Sequence, residues 1–178
     1  MNRSQHLCLM ASYNADMNAK VYAGANNLSS QELEHDRKAF FGSILGTLNH
    51  LIVADLIWLK RFASHPAAFP SLQVLHTMKM PAKLDEKLHI DLPSLSAQSQ
   101  QLDQIIKAFT AEIKEEDLDL ALAYETLAGE KMRKNMFSLL MHFFNHQTHH
   151  RGQVMTLLFQ AGVDVGVTDL NAWVPQAV

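Results

Sequence analysis

Two histidines four residues apart, His146 and His150, sit in the decapeptide FNHQTHHRGQ that runs from Phe144 to Gln153. In a helix that spacing stacks their imidazoles one turn apart on one face, where both can reach a single metal ion. The flanking residues say which face this is. The row at 139, 143, 146, 150, 154 and 157 reads Leu, Phe, His, His, Val, Leu, an apolar stripe broken by the pair alone. The row at 138, 142, 145, 149, 153 and 156 reads Ser, His, Asn, His, Gln, Thr, a polar face. The pattern therefore directs His146 and His150 inward and leaves His142 and His149 to solvent. Inward imidazoles without partners would each cost about 1–3 kcal/mol in unpaired nitrogen groups, and a shared cation removes that penalty.

A catalytic metal commonly takes three protein ligands and keeps one position open. The third candidate is His50, in GTLNHLIVAD, midway along another apolar stretch. Its helical neighbours Gly46, Thr47, Val53 and Ala54 are small and leave room beside the ring. His6, His35, His65, His76 and His89 fall at expected helix ends or in loops. A lone inward histidine is more often a satisfied core residue than a ligand; the convergence of three favours a metal. A peptidase of the H-E-x-x-H type is excluded, because Gln147 stands where the glutamate base must be. No glycine-rich phosphate loop and no G-x-S-x-G elbow occur, and the nine methionines suit core gaps better than a metal box.

Four long helices are expected to carry these residues. The first spans Ser4 to Ala25, with Leu7, Met10, Met17 and Val21 near a helical period. Ser29 and Glu32 form a capping-box pattern for a short helical entry. The second spans Phe40 to Ala63 and is apolar almost all round, which suggests a central helix or one covered by a second subunit. Residues 64–93 hold four of the five prolines and read as a long irregular connection. The third helix is expected from Ser94 to Glu116, with Leu95, Leu102, Ile105, Ile106, Phe109 and Ile113 facing the core. Leu120 to Leu127 reads as a short strand or hairpin before Gly129. The fourth helix is expected from Glu130 to Ala161, stopped by Gly162. The tail, Val163 to Val178, is expected to be irregular and to pack back. The fold class is an all-α four-helix bundle, one domain over residues 1–178.

Composition agrees with this. Apolar residues make up 48% of 178, enough for a core without staples. With 15 basic and 18 acidic side chains and no long run of either sign, a nucleic-acid-binding surface is not expected. The single cysteine, Cys8, has no internal disulfide partner and reads as a small core residue. The start of the chain lacks a secretory apolar region, and Leu51 to Leu59 carries Asp55 and is too short to span a bilayer. A cytoplasmic protein without membrane contact is the expectation.

Four segments, in this order and spacing, resemble the DinB family within the DinB/YfiT-like superfamily. They are SILGTLNHLIVADLIWLKRF (Ser43 to Phe62), LAGEKMRKN (Leu127 to Asn135), FNHQTHHRGQV (Phe144 to Val154) and QAGVDVGVTDL (Gln160 to Leu170). The resemblance implies a four-helix bundle, commonly a homodimer, with a divalent metal on three histidines. Carried over by motif, these are His50, His146 and His150, the set that the face pattern selects. It also implies relatives that are thiol-dependent transferases and an isomerase using low-molecular-weight thiols. The leading expectation is therefore a metal-dependent transferase that activates such a thiol with zinc or nickel. The alternative is a non-catalytic stress-related metal- or ligand-binding protein; a hydrolase using metal-bound hydroxide and a metal-free structural bundle stand behind it. Arg151 reads as a surface ion-pair residue or, less simply, a contact to an anionic substrate. Asp55 and Asn49 read as groups that pair helices or support a ligand.

Overall fold

The first long helix starts where the sequence can satisfy its free amides. The Asn2 side chain accepts from the Gln5 backbone, and the Gln5 side chain accepts from the Asn2 backbone, closing a capping box for α1, Arg3–Ala25. The computed structural model, which describes residues 1–176, continues with a short α2, Ser30–Glu34, started by the expected Ser29–Glu32 box. Three further long helices follow: α3, Ile44–Phe62, α4, Leu92–Glu112, and α5, Met136–Gln160. Contacts run α1–α4, α4–α3, α3–α5 and α5–α1, so the four long helices close a ring with α1 diagonal to α3. This is the all-α bundle that the sequence pattern anticipates. No helix among the described residues is long and apolar enough to cross a membrane.

Three of the long helices differ in extent from expectation. Helix α3 starts at Ile44 rather than Phe40, because Ser43 caps it by accepting from the Gly46 amide. Helix α4 runs from Leu92 to Glu112 rather than Ser94 to Glu116: Asp91 is the cap, Pro93 occupies the first turn, and Ser94 donates its amide to Asp91. Helix α5 begins at Met136, not Glu130. Residues 130–135 are instead drawn into a hairpin, in which β1, Ala121–Glu125, pairs antiparallel with β2, Lys131–Asn135. Asn135 then caps α5 by accepting from the Ser138 amide. At its far end α5 closes as expected at Gly162, whose φ of 82° only glycine adopts without strain. The Val163 amide reaches back to the Leu158 carbonyl and the Gly162 amide to Phe159, the Schellman arrangement.

The connection between α3 and α4 is long and irregular, as expected, with one 3-10 stretch at Pro70–Thr77. That stretch packs on both α3 and α4, with Leu72 and Leu75 fully buried. With α4, α5 and the hairpin it covers α3, which explains within one chain why α3 is apolar all round. The tail returns onto α1: Trp173 sits edge-on to Tyr13 and donates to Asp16, and the Tyr13 hydroxyl donates to the Thr168 carbonyl. The last two residues of the expected tail, Ala177 and Val178, lie outside the described residues. Cys8 is half-buried between α1 and α4, its sulfur 3.5 Å from the Thr110 carbonyl.

A polar seam crosses the largely apolar bundle core. Asp103 of α4 accepts from the Asn14 and Asn18 amides of α1, at 3.1 and 2.9 Å. The oxygens of the same two asparagines accept from Arg151 of α5. A buried cation and a buried carboxylate are thus joined through two amides. Arg151, expected at the surface, is buried, because its guanidinium finds these acceptors and the Tyr13 ring inside. On the neighbouring side Gln147 of α5 donates to Asp55 of α3. Burial raises the Asp55 carboxyl well above the ordinary carboxylate range, reinforced by Asp103.

Burial likewise pushes the Asp103 carboxyl up to about 6, against the opposing bonds from Asn18 and Asn14. A carboxyl with a raised folded pKa favours the folded state fully below its unfolded value, near 4, and loses that contribution as pH rises through 6. Urea unfolding of wild type and Asp103→Asn across this window should show it. Wild-type stability should fall relative to the variant by roughly 3 kcal/mol between about pH 4 and pH 7. Parallel curves for the two proteins would contradict this assignment.

Candidate metal centre

Helices α3 and α5 lie antiparallel, and their facing turns bring the three predicted histidines together. One ring nitrogen from each of His50, His146 and His150 lies within 4.8 Å of the other two. The closest pair, Nε2 of His50 and Nε2 of His146, is 3.2 Å apart. Nitrogens bound to one tetrahedral zinc at about 2.1 Å stand about 3.4 Å from each other, so this spacing already matches shared coordination. His50 is buried, whereas His146 and His150 are half-buried and open to a cleft. His142 and His149 are exposed, as the polar row predicts.

The tautomers point the same way. Nδ1 of His50 lies 2.8 Å from the Leu84 carbonyl, which can only accept, so Nδ1 carries the proton. Nδ1 of His150 lies 2.8 Å from Oε1 of Gln153, which accepts in the same manner. Each ring is left with a bare Nε2 lone pair. Such an outer hydrogen bond fixes ring orientation and raises ligand basicity in metal sites. Protonation does not compete. Burial lowers the pKa of all three rings; His146 falls to about 3, with His150 and His50 adding to the effect of burial. Three convergent imidazoles, two of them held with a bare Nε2 lone pair, form a group that can hold a divalent ion.

The walls of this cleft come from residues that local pattern does not mark. Phe41 lies flat on His50, with ring centroids 3.8 Å apart and planes 17° apart, and approaches His150 edge-on at 5.5 Å. It is held there by a tight turn in which Arg37 donates its amide to the Gly42 carbonyl and Gly42 to Ala39. Gly46 makes this turn possible: a Cβ at that position would stand 2.1 Å from the Phe41 carbonyl oxygen. Asn49, one residue before His50, anchors the connection that supplies Leu84. Its side-chain oxygen accepts from the Leu88 and His89 amides, and its nitrogen donates to the His89 carbonyl. Asn49 therefore supports a ligand through the chain rather than through the ring.

Other expectations fare differently. Asp55 pairs helices through Gln147 and does not touch the histidines' hydrogen-bonding nitrogens. Gln147, the residue that rules out a peptidase base, points into the core. Arg151 points there too, so it contacts no substrate in the cleft. His65, assigned to a loop, is buried; it stacks on Phe69 and accepts from the Ala67 amide. Gln153 was placed on the polar row, yet it holds His150; its spacing of three residues from that histidine was the available signal.

The ligand set is checked by metal analysis. Protein purified without chelators or a histidine tag should carry about one divalent ion per chain. His146→Ala and His150→Ala should each lose most of it, and Gln153→Ala should weaken binding roughly 10–100-fold, the usual effect of removing an outer partner. Unchanged metal content in both histidine variants would refute the site.

Comparison with known proteins identifies the family. The family model described as the DinB family matches residues 1–176. Protein DinB of Bacillus subtilis (strain 168) is 23% identical over 161 residues, which span 90% of this chain and 89% of the relative. No solved structure gives a significant match. A family match over nearly the whole chain, both histidine-bearing helices included, places the chain in the DinB family.

Proposed function

We propose that His50, His146 and His150 ligate one divalent metal ion, zinc or nickel, and that the protein is a transferase that activates a low-molecular-weight thiol there. The observation that carries this reading is the ligand set: three convergent histidine nitrogens, with the rings of His146 and His150 only half-buried. With no carboxylate or thiolate among them, the full charge of a bound ion remains to attract an anionic ligand. When bound, such an ion lowers the pKa of a thiol and holds it as thiolate at neutral pH.

The chain supplies the remainder. Leu84 and Gln153 hold two rings in one tautomer, and Phe41 closes one wall against water. In the transfer, the thiol gives its proton to solvent and its sulfur forms a bond to an electrophilic carbon. The leaving group departs with the electron pair of the broken bond. Because the proton goes to solvent, this step requires no acid or base side chain next to the ligands.

The test is a panel of low-molecular-weight thiols with a halonitroarene as reporter electrophile, read by absorbance of the conjugate. Metal-loaded protein should accelerate conjugation with at least one thiol, and chelation or His50→Ala should abolish the acceleration. Full metal content without conjugation by any thiol would favour the non-catalytic binding protein instead.

A further inference from the structure

The facing row of side chains on α3 and α5 continues past the histidines. Residues 50, 54, 58 and 61 share one face of α3, as 150, 146 and 142 do on α5. The contacts follow this row. The His142 ring lies 6.0 Å from His146, Trp58 lies 5.0 Å from His142, and the Arg61 guanidinium carbon lies 4.6 Å from the Trp58 ring. On its other side Arg61 lies 4.8 Å from the ring of Tyr124 in β1.

Arg61 is held but not neutralised. Two aromatic faces fix its plane, yet they satisfy none of its five donors. It makes no ion pair among the described residues, and its Nε is buried without a partner. A cation near the C-terminus of α3 could serve only the helix dipole. Lys60 beside it has a partner, its Nζ donating to the Leu75 carbonyl at 2.5 Å, and a dipole partner needs no aromatic clamp. A second cationic group borders the same spot. Lys134 of β2 and Arg61 both act on His142, adding to burial in lowering its pKa.

We propose that Arg61, flanked by Lys134 and His142, is an oxyanion subsite that binds a carboxylate on the molecule whose other end enters the three-histidine cleft. A planar guanidinium with free donors matches a carboxylate better than a point charge does. The guanidinium lies over Trp58, eight positions from His50, which is about 12 Å along the helix. The substrate class is therefore an extended thiol acid, with sulfur and carboxylate at opposite ends. This assignment rests on the metal-site reading above, and its test separates the two.

Cobalt-loaded protein is titrated with ω-mercaptohexanoate and with uncharged ω-mercaptohexanol, reading the visible and sulfur-to-metal absorption bands. Wild type should bind the acid about tenfold more tightly than the alcohol, the gain expected from one charge-assisted contact. Arg61→Gln should erase that preference and bind the alcohol as wild type does, and Arg61→Lys should restore part of it. In parallel, hexanoate and inorganic phosphate, which lack sulfur, are titrated into zinc-supplied protein while the Arg61 Nε–H resonance is followed, assigned by its loss in Arg61→Gln. A shift with hexanoate supports the subsite. A shift with phosphate alone, no shift with either anion, or equal affinity for the two thiols overturns the carboxylate assignment. Cobalt bands that ignore both thiols, with the resonance still shifting in hexanoate, would sink the metal-site reading and leave the anion subsite standing.

Discussion

An offset of one residue along α5 governs the rest of this molecule. His146 and His150 occupy one stripe of the helix; Gln147 and Arg151 occupy the next, about 100° around the axis. The first stripe faces the cleft and the second faces the core, so a single pair of turns must satisfy both at once. Behind the histidines, Gln147 bonds Asp55 and ties α5 to α3. Arg151 bonds Asn14 and Asn18, and these bond Asp103, which ties α5 to α1 and α4. Sliding α5 by one turn, about 5.4 Å, would break these bonds and carry both histidines away from His50. Apolar packing alone tolerates such slips far better than directional polar contacts do.

The seam also accounts for where charge resides. Arg151 has no carboxylate in direct contact; its charge reaches Asp103 through two amides, and burial opposes ionisation of both groups. Removing one partner of such a buried set leaves an uncompensated group, which makes the arrangement a strong constraint on register even where its net contribution to stability is small. The cleft has the opposite character. Its three histidines are neutral and its wall is the flat face of Phe41, so nothing there offsets the charge of a bound cation. Along the same groove the free charge belongs to Arg61. The two ends thus suit a ligand that is anionic at both.

Much of the architecture is readable from local chemistry. Asn2, Ser29 and Gly162 mark helix ends because side chain or backbone at those positions satisfies groups that the helix leaves free. His146 and His150 identify themselves by spacing within an apolar row, and His50 by its small neighbours. The hairpin is harder to read. Residues 130–135 contain good helix formers, and only pairing with 121–125 turns them into a strand. Arg151 and His65 mislead for the same reason: a long or ring side chain with a polar tip is buried whenever acceptors or an aromatic face await it, and these come from distant segments.

By itself, the sequence determined the four long helices, the long connection, the face of α5 that carries His146 and His150 and the identity of the third histidine of the cluster. All of these follow from periodicity, capping and side-chain type within a few turns of chain. Tertiary structure alone decided the tautomer of His50 and the aromatic wall against it, because Leu84 and Phe41 arrive from segments with no periodic relation to that ring. It also decided that Gln147 and Arg151 belong to the core, and that Arg61 stands unpaired beside the cleft. Hydrogen bonds and ion pairs have a reach of a few ångströms, so which groups meet depends on how the helices pack, and no local pattern records that.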